Sequence, residues 1–264
     1  MKDDIFKQTV WDYYKKNKRA MPWRKDISPY NIFISEVMLQ QTQVSRVLVK
    51  YPLFTRIFPN IKSLAQANTT QLLSVWQGLG YNRRALYLKK AALMICDSFN
   101  CCIPDDPIIL DTLPGIGYAT ACSIVCFIYN KPVVFIETNI RRVYIYHYFN
   151  DKTNVDDKDI FCVIERTLDK GHAREWYWAL MDYGAYLATQ IDNPNKKSRR
   201  YVKQKRFKGS VREVRGGVIK LLLKRSHTLV ELKNIYTDER LSIALEQLEK
   251  EEFIMKKKDI YYIK

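Results

Sequence analysis

Residues 113–121 read Leu-Pro-Gly-Ile-Gly-Tyr-Ala-Thr-Ala, a glycine turn set between the apolar pair Ile108-Ile109 and a long apolar stretch over 118–129. Pro114 and Gly115 favour a chain reversal, and helical spacing resumes after Gly117, so the segment predicts two helices joined by a short hairpin. With no side chains at Gly115 and Gly117, backbone amides can approach a ligand closely, and the next helix directs its positive end at the same place. That suits a phosphate and reads no base. The plain alternative is an ordinary connection between two helices.

Helical spacing extends well beyond the hairpin. Apolar side chains recur every three or four residues through 32–49, 70–76, 84–98, 118–129 and 176–188, separated by short polar or Pro/Gly breaks, so residues 1–190 read as an all-α body. The pattern changes over 192–208, where Asn-Pro-Asn is followed by eight basic residues and no acid between 196 and 208. This stretch reads as a basic linker. Its Lys196, Lys197, Arg199 and Arg200 are candidate phosphate contacts, although such runs are usually just solvated. From 209 onward, helices over 211–224, 229–236 and 238–251 and extended pieces over 253–257 and 259–263 predict a winged-helix module with Lys257-Lys258 at the wing tip. Glu246, Glu249, Glu251 and Glu252 make its third helix a poor reader of a DNA groove, which favours packing or protein contact over base readout.

Forty-four Lys and Arg against 28 Asp and Glu give a net charge of +16, which makes polyanions the first partners to consider. A biased codon composition produces the same excess, so charge alone does not decide the matter. The apolar run over 119–129 falls far short of the roughly 20 residues a bilayer span needs, and the Met-Lys-Asp-Asp start is unlike a signal peptide. A soluble, intracellular protein with no membrane partner is expected. Cys96, Cys101, Cys102, Cys122, Cys126 and Cys162 form no CxxC pair and read as free thiols, and His147, His172 and His227 are scattered, so no metal site is expected.

Two carboxylates stand out against apolar surroundings. In Ile34-Ser35-Glu36-Val37-Met38-Leu39-Gln40-Gln41-Thr42-Gln43, Glu36 sits in an apolar helical stretch that ends in amides. Burial there raises a carboxyl pKa and suits a general acid near neutral pH; taken alone, a structural ion pair is the commoner reading. In Val133-Val134-Phe135-Ile136-Glu137-Thr138-Asn139-Ile140-Arg141-Arg142, an apolar run ends abruptly at Glu137. That carboxylate could stabilise positive charge on a sugar, or cap a helix, or pair with Arg141 or Arg142.

In order and spacing, Met21-Pro22-Trp23-Arg24, Ser35-Glu36-Val37-Met38-Leu39-Gln40-Gln41-Thr42, Trp76-Gln77-Gly78-Leu79-Gly80-Tyr81, the hairpin, Asn139-Ile140-Arg141-Arg142-Val143 and Met181-Asp182-Tyr183-Gly184-Ala185 resemble one family. It is the helix-hairpin-helix DNA glycosylases related to endonuclease III, and within it the MutY-type adenine glycosylases. The resemblance covers about residues 20–190. It implies a two-lobed fold over 1–191, with a six-helix lobe at about 23–132 and a second lobe from 1–22 plus 133–191, followed by the 192–208 linker and the 209–264 module.

The resemblance also implies a hydrolase of base excision repair. Its partner would be double-stranded DNA with a mispaired or damaged base, met as a monomer in the cytoplasm or nucleoid. Glu36 would protonate a base flipped out of the stack, Glu137 would stabilise the oxocarbenium-like sugar, and Asn139 would support that network. Gln40, Gln41 and Thr42, with Tyr81, Asn82 and Arg83, would enter or border the duplex, and Gly115, Ile116, Gly117, Tyr118 and Thr120 would hold phosphates. Bifunctional relatives carry a catalytic lysine two residues beyond the second hairpin glycine. Here that position is Ala119, which implies base removal by water with no strand cleavage.

Five departures bear on substrate and cofactor. The family's iron–sulfur cluster needs four cysteines after the Met-Asp-Tyr-Gly-Ala segment, whereas no cysteine follows Cys162, so no cofactor is expected. Glu137 stands in place of an aspartate, Asn82 in place of a second tyrosine, and Ala119 in place of a tyrosine or serine. The residues after the linker read as a winged helix, unlike the family's 8-oxoguanine-recognising domain. Glu36 with the Gln40-Gln41-Thr42 cluster makes adenine opposite guanine or 8-oxoguanine the leading substrate. Thymine or uracil opposite guanine is the alternative, and a DNA-binding module without catalysis is a third reading.

Overall fold

The computed structural model describes residues 1–203 and 206–264. Gln204 and Lys205, within the expected basic linker, lie outside the described residues. Helices dominate, and the strands form one small sheet near the carboxy terminus. Among the described residues, no helix is long and apolar enough to cross a membrane.

The chain builds two compact units and enters each more than once. One comprises Met1–Glu36, Ile103–Thr112 and Ile116–Lys203; the other comprises Val37–Cys102, Leu113–Gly115 and Gln204–Lys264. This division differs from the expected lobes. Helix Tyr118–Tyr129 joins the terminal segments because Cys122, Cys126 and Phe127 are buried in their core. The carboxy-terminal module, expected as a separate domain, shares a unit with Val37–Cys102.

The first unit is organised on helices Thr138–Tyr148 and Ala173–Gln190. Their inward faces supply Ile140, Val143, Tyr144, Trp176, Tyr177 and Leu180, all fully buried, and Lys2–Asn17 adds Phe6 and Val10. Phe135 stacks on Tyr177 with ring centroids 4.1 Å apart, fixing the extended segment that leads to Glu137.

In the second unit, the single helix expected over 32–49 is interrupted. Pro29–Leu39 ends, Gln41 turns through a left-handed φ of 52°, and Val44–Ile57 begins. The polar run Gln-Gln-Thr-Gln at 40–43 interrupts the apolar spacing, and a buried guanidinium takes the last-turn carbonyls that the first helix leaves free. Arg84 Nη1 donates to the Val37 and Met38 carbonyls, both at 2.9 Å. Helices Thr69–Trp76 and Arg83–Phe99 match their expected spans to within a residue. Phe54 meets Trp76 edge-on in this unit's interior.

The carboxy-terminal segment forms helices Val211–Leu222, Leu229–Ile235 and Arg240–Lys250. Three antiparallel strands, β1 (His227–Thr228), β2 (Ile254–Lys257) and β3 (Ile260–Ile263), lie in the order β1-β3-β2. β1 was not expected. At two residues it is too short to show alternation, and it exists through pairing of His227 with Tyr261 and Thr228 with Ile260. Lys257 pairs with Ile260, which leaves Lys258, at φ 55°, in the turn of the wing.

Candidate active site and nucleic-acid interface

Glu36 lies near the end of helix Pro29–Leu39 with buried Ser35, Val37 and Met38 beside it. The Ser123 hydroxyl is 2.7 Å from its carboxylate and 2.9 Å from the Thr120 carbonyl, so one side of the carboxyl is fixed by helix Tyr118–Tyr129. Burial pushes the Glu36 carboxyl up to about 7, against a hydrogen bond from Ser123, with repulsion from Glu137 raising it further and Arg24 opposing. A carboxyl of that pKa holds a proton near neutrality and can give it away.

Glu137 is the amino-terminal cap of helix Thr138–Tyr148. One oxygen accepts the backbone N–H of Asn139 at 2.7 Å and of Ile140 at 2.9 Å, and the Asn139 side-chain amide lies 3.3 Å from the other. Burial raises the Glu137 carboxyl, and the two backbone amides oppose the rise. The cap reading is thus realised. The alternative pairing with Arg141 is not formed, since Arg141 holds Asp157 at 3.0 and 2.9 Å. Arg142 donates to the Asn139 side-chain oxygen at 2.6 Å and to the Gly184 carbonyl at 2.8 Å.

The Met-Asp-Tyr-Gly-Ala segment holds this arrangement from behind. A Cβ on Gly184 would come within 2.4 Å of the Asn139 carbonyl oxygen, so helix Ala173–Gln190 can approach the Glu137 turn only because this residue has no side chain. Two residues earlier, the fully buried Asp182 carboxylate accepts four donors. They are the Arg19 backbone N–H and Nε at 2.9 and 2.7 Å, and Arg24 Nη1 and Nη2 at 2.8 and 2.9 Å. Arg24, which also lies 5.3 Å from the Trp178 ring centroid, is thereby placed where it acts on Glu36.

In the second unit, Gln40, Gln41 and Thr42 stand beside the turn that carries Tyr81. Arg84 Nη2 donates to Thr42 Oγ1 at 2.7 Å and to the Leu79 and Gly80 carbonyls, both at 3.0 Å. Gln40 Nε2 donates to the Gly115 carbonyl at 3.0 Å, joining the first hairpin glycine to the same face. Gln41 and Tyr81 both occupy left-handed backbone, at φ 52° and 45°, a conformation that non-glycine residues hold only when their surroundings over-determine it. Asn82 precedes helix Arg83–Phe99, and Arg83 pairs with Glu251.

The two hairpin glycines play different parts. Gly115 has φ 78°, and a Cβ there would lie 2.9 Å from the Tyr87 Cβ, so the fold itself demands glycine. Gly117 caps helix Tyr118–Tyr129 in extended backbone, and a Cβ there would meet nothing within 4 Å. Ile116 is buried, Tyr118 is 55% exposed, and Thr120 is half-buried next to the Ser123 contact.

The linker residues are largely occupied. Lys197 donates to Asn150, Arg199 pairs with Asp156 at 2.9 Å, and Arg200 lies 3.5 Å from Asp157, while Lys196 is exposed. A short 3-10 turn, Pro194–Lys197, follows the Met-Asp-Tyr-Gly-Ala helix, where the family's cluster would stand. Buried Asn195 donates to the Thr138 carbonyl at 3.0 Å, and a parallel bridge joins Val155 and Ser198. These residues offer no thiolate and do not fit an iron–sulfur cluster. Among the described residues, no group of three or more His, Cys, Asp or Glu side chains is placed to hold a metal ion.

Sequence reasoning missed Ser123 and Arg84. Both had a signal: Ser123 is a small hydroxyl within the apolar run 121–128, three residues after Thr120, and Arg84 falls on the buried stripe shared with Leu88, Ala91 and Ile95.

Residues 34–161 match the model of the HhH-GPD superfamily of base excision DNA repair proteins, and the chain belongs to that superfamily. Relatives that it matches within the superfamily include adenine DNA glycosylases, in keeping with the MutY-type resemblance. The enzyme of Mycobacterium tuberculosis is 43% identical over 132 residues, covering 50% of this chain and 43% of the relative. That of Buchnera aphidicola subsp. Baizongia pistaciae is 34% identical over 195 residues, covering 72% and 54%. The chain thus spans about half the length of the curated relatives it matches. Among solved structures, a thermostable thymine-DNA glycosylase superposes with a TM-score of 0.66 at 22% identity, covering 74% of this chain and 92% of that one. An endonuclease III–DNA complex does so with a TM-score of 0.59 at 18% identity, covering 70% and 86%. At those identities the likeness is one of fold.

Proposed function

We propose that the protein is a monofunctional DNA glycosylase that removes a mispaired base, adenine opposite guanine or 8-oxoguanine, from duplex DNA. The observation that carries this reading is Glu36, a buried carboxyl raised to about 7, held by Ser123 and raised further by Glu137 of the capped Glu137–Asn139 turn. Glu36 gives its proton to a ring nitrogen of the flipped base, and the glycosidic bond electrons leave with that base. Glu137 carries the negative charge that favours the developing sugar cation, and Asn139, held by Arg142, fixes its carboxylate. Water adds to the sugar carbon and releases a proton, leaving free base and an abasic site. Ala119 supplies no amine, so no Schiff base forms and the strand stays intact.

Gln40, Gln41, Thr42 and the Tyr81 turn are the parts that meet the bases. Exposed Gly117 and the first turn of the following helix meet a phosphate, with Lys196 an added contact. The enzyme works as a monomer in the cytoplasm or nucleoid and without an iron–sulfur cluster, for which the residues at 191–200 have no ligands. Iron analysis of the purified protein should find none.

A panel of mispaired duplexes followed by alkaline cleavage tests the activity. Adenine release is expected, and Glu36→Gln should lower its rate by about 10²–10⁴-fold. No release from any adenine-containing mispair would overturn the specificity. Release of thymine or uracil opposite guanine would establish the second reading, which Asn82 favours.

A further inference from the structure

Tyr81 holds a left-handed backbone at φ 45° with its side chain 39% exposed. Such a residue keeps one pose only if something beyond local preference fixes it. From below, Arg84 holds the turn by the Leu79 and Gly80 carbonyls, with its guanidinium 5.8 Å from the Tyr81 ring centroid. From the other direction comes Arg212, in the first turn of helix Val211–Leu222. Its Nη1 donates to the Tyr81 hydroxyl at 3.0 Å, and its guanidinium lies 5.9 Å from the ring centroid. Two residues after Tyr81, Arg83 pairs with Glu251, whose carboxylate also takes Arg215 at 2.9 and 2.6 Å. Contacts from one module therefore reach both sides of Asn82, and all lie within one compact unit.

We propose that Arg212 is a positioning residue that sets the pose of Tyr81, so that the carboxy-terminal module forms part of the DNA-reading face. The proposal rests on the glycosylase reading for its substrate, duplex DNA. The module's third helix carries Glu246 and Glu249, which suits it poorly for a groove of its own. It acts instead by presenting Arg212 and Glu251 to the turn. The Arg212 cation beside the tyrosine also adds positive charge where a strand would pass.

The test is a double-mutant cycle of Arg212→Ala and Tyr81→Phe, read as affinity for a mispaired duplex in the Glu36→Gln background, where the DNA stays intact. Each single change should weaken binding by about 5–10-fold, and the pair should be no worse than either alone. With Glu36 restored, Arg212→Ala should raise KM and leave kcat at saturating DNA within about twofold. Arg212→Lys should recover part of the loss, because an ammonium donates to the hydroxyl but does not stack on the ring. Melting temperature should be unchanged, and Arg240→Ala, which removes a pair with Asp238 elsewhere on the module, should leave affinity as it was. Independent, additive losses, an unaltered Arg212→Ala affinity, or tighter binding by that variant would each overturn the proposal. A wild type that releases no base would sink the activity proposed above while leaving the affinity cycle fully readable.

Discussion

The carboxylate pocket and the reading turn are fixed by opposite means. Around Glu36 and Glu137, helix ends, hydrogen bonds from Ser123 and Arg142 and a side-chain-free approach of two backbones hold the groups, with Glu137 at an ordinary extended φ of −121° and Gly184 against Asn139. Around Gln41 and Tyr81 the backbone is strained, the side chains are exposed, and the anchors are guanidiniums, buried Arg84 at the main chain and Arg212 at the Tyr81 hydroxyl. The pocket should thus be intolerant of added volume. The turn should tolerate exchange of its side chains and fail when its tether is cut.

The contrast breaks most sharply at Gly184. Gly184→Ala drives a methyl to 2.4 Å from the Asn139 oxygen and must move the Glu137 turn. It should cost about 1–3 kcal/mol of stability and about 10²-fold in single-turnover base release, measured by denaturant unfolding and rapid quench. Wild-type values for both would mean that the pocket is not limited by volume.

The pH dependence of the pocket comes next in size. With the Glu36 carboxyl at about 7, base release should hold level below that pH and fall about tenfold per unit above it. Ser123→Ala removes a hydrogen bond that lowers the Glu36 value, so the break should move to higher pH. The same group links to folding. Its folded pKa lies above an unfolded value of about 4.3, so the folded state retains a proton across that window. Its contribution to stability is therefore present at the acid end and lost as pH rises toward 7. Glu36→Gln should flatten that slope in melting temperature, and an unchanged slope would remove Glu36 as its source.

The smallest effect sharpens the contrast within the hairpin. Gly115→Ala meets both a left-handed φ and Tyr87, and should lower stability by about 1–2 kcal/mol. Gly117→Ala meets open space and should leave stability intact while weakening DNA binding by a few-fold. Equal melting losses for the two would show that Gly117 also serves the fold.

Much of this was legible in the sequence because it rests on local chemistry. The hairpin, the helices over 70–76 and 84–98, and the three carboxy-terminal helices announce themselves by spacing and turn residues. Glu36 and Glu137 are visible as acids in apolar runs. What stayed hidden depends on partners far along the chain. Asp182 is one acid among 28 until Arg19 and Arg24, more than 150 residues earlier, are seen to share it. The break at Gln41 is marked by the amides at 40–43, but the partner of the carbonyls it frees, Arg84, lies more than 40 residues further on. The unit boundaries differ from expectation because the buried face of Tyr118–Tyr129 chooses its neighbours in space.

Four of the five oxygens that Arg84 grips belong to the main chain, at Val37, Met38, Leu79 and Gly80. An anchor of that kind is indifferent to which side chains the loops display. On the glycosylase reading, the side chains at 81 and 82 can be exchanged with the main-chain socket beneath them left as it is, while the contact from Arg212 to the Tyr81 hydroxyl is given up.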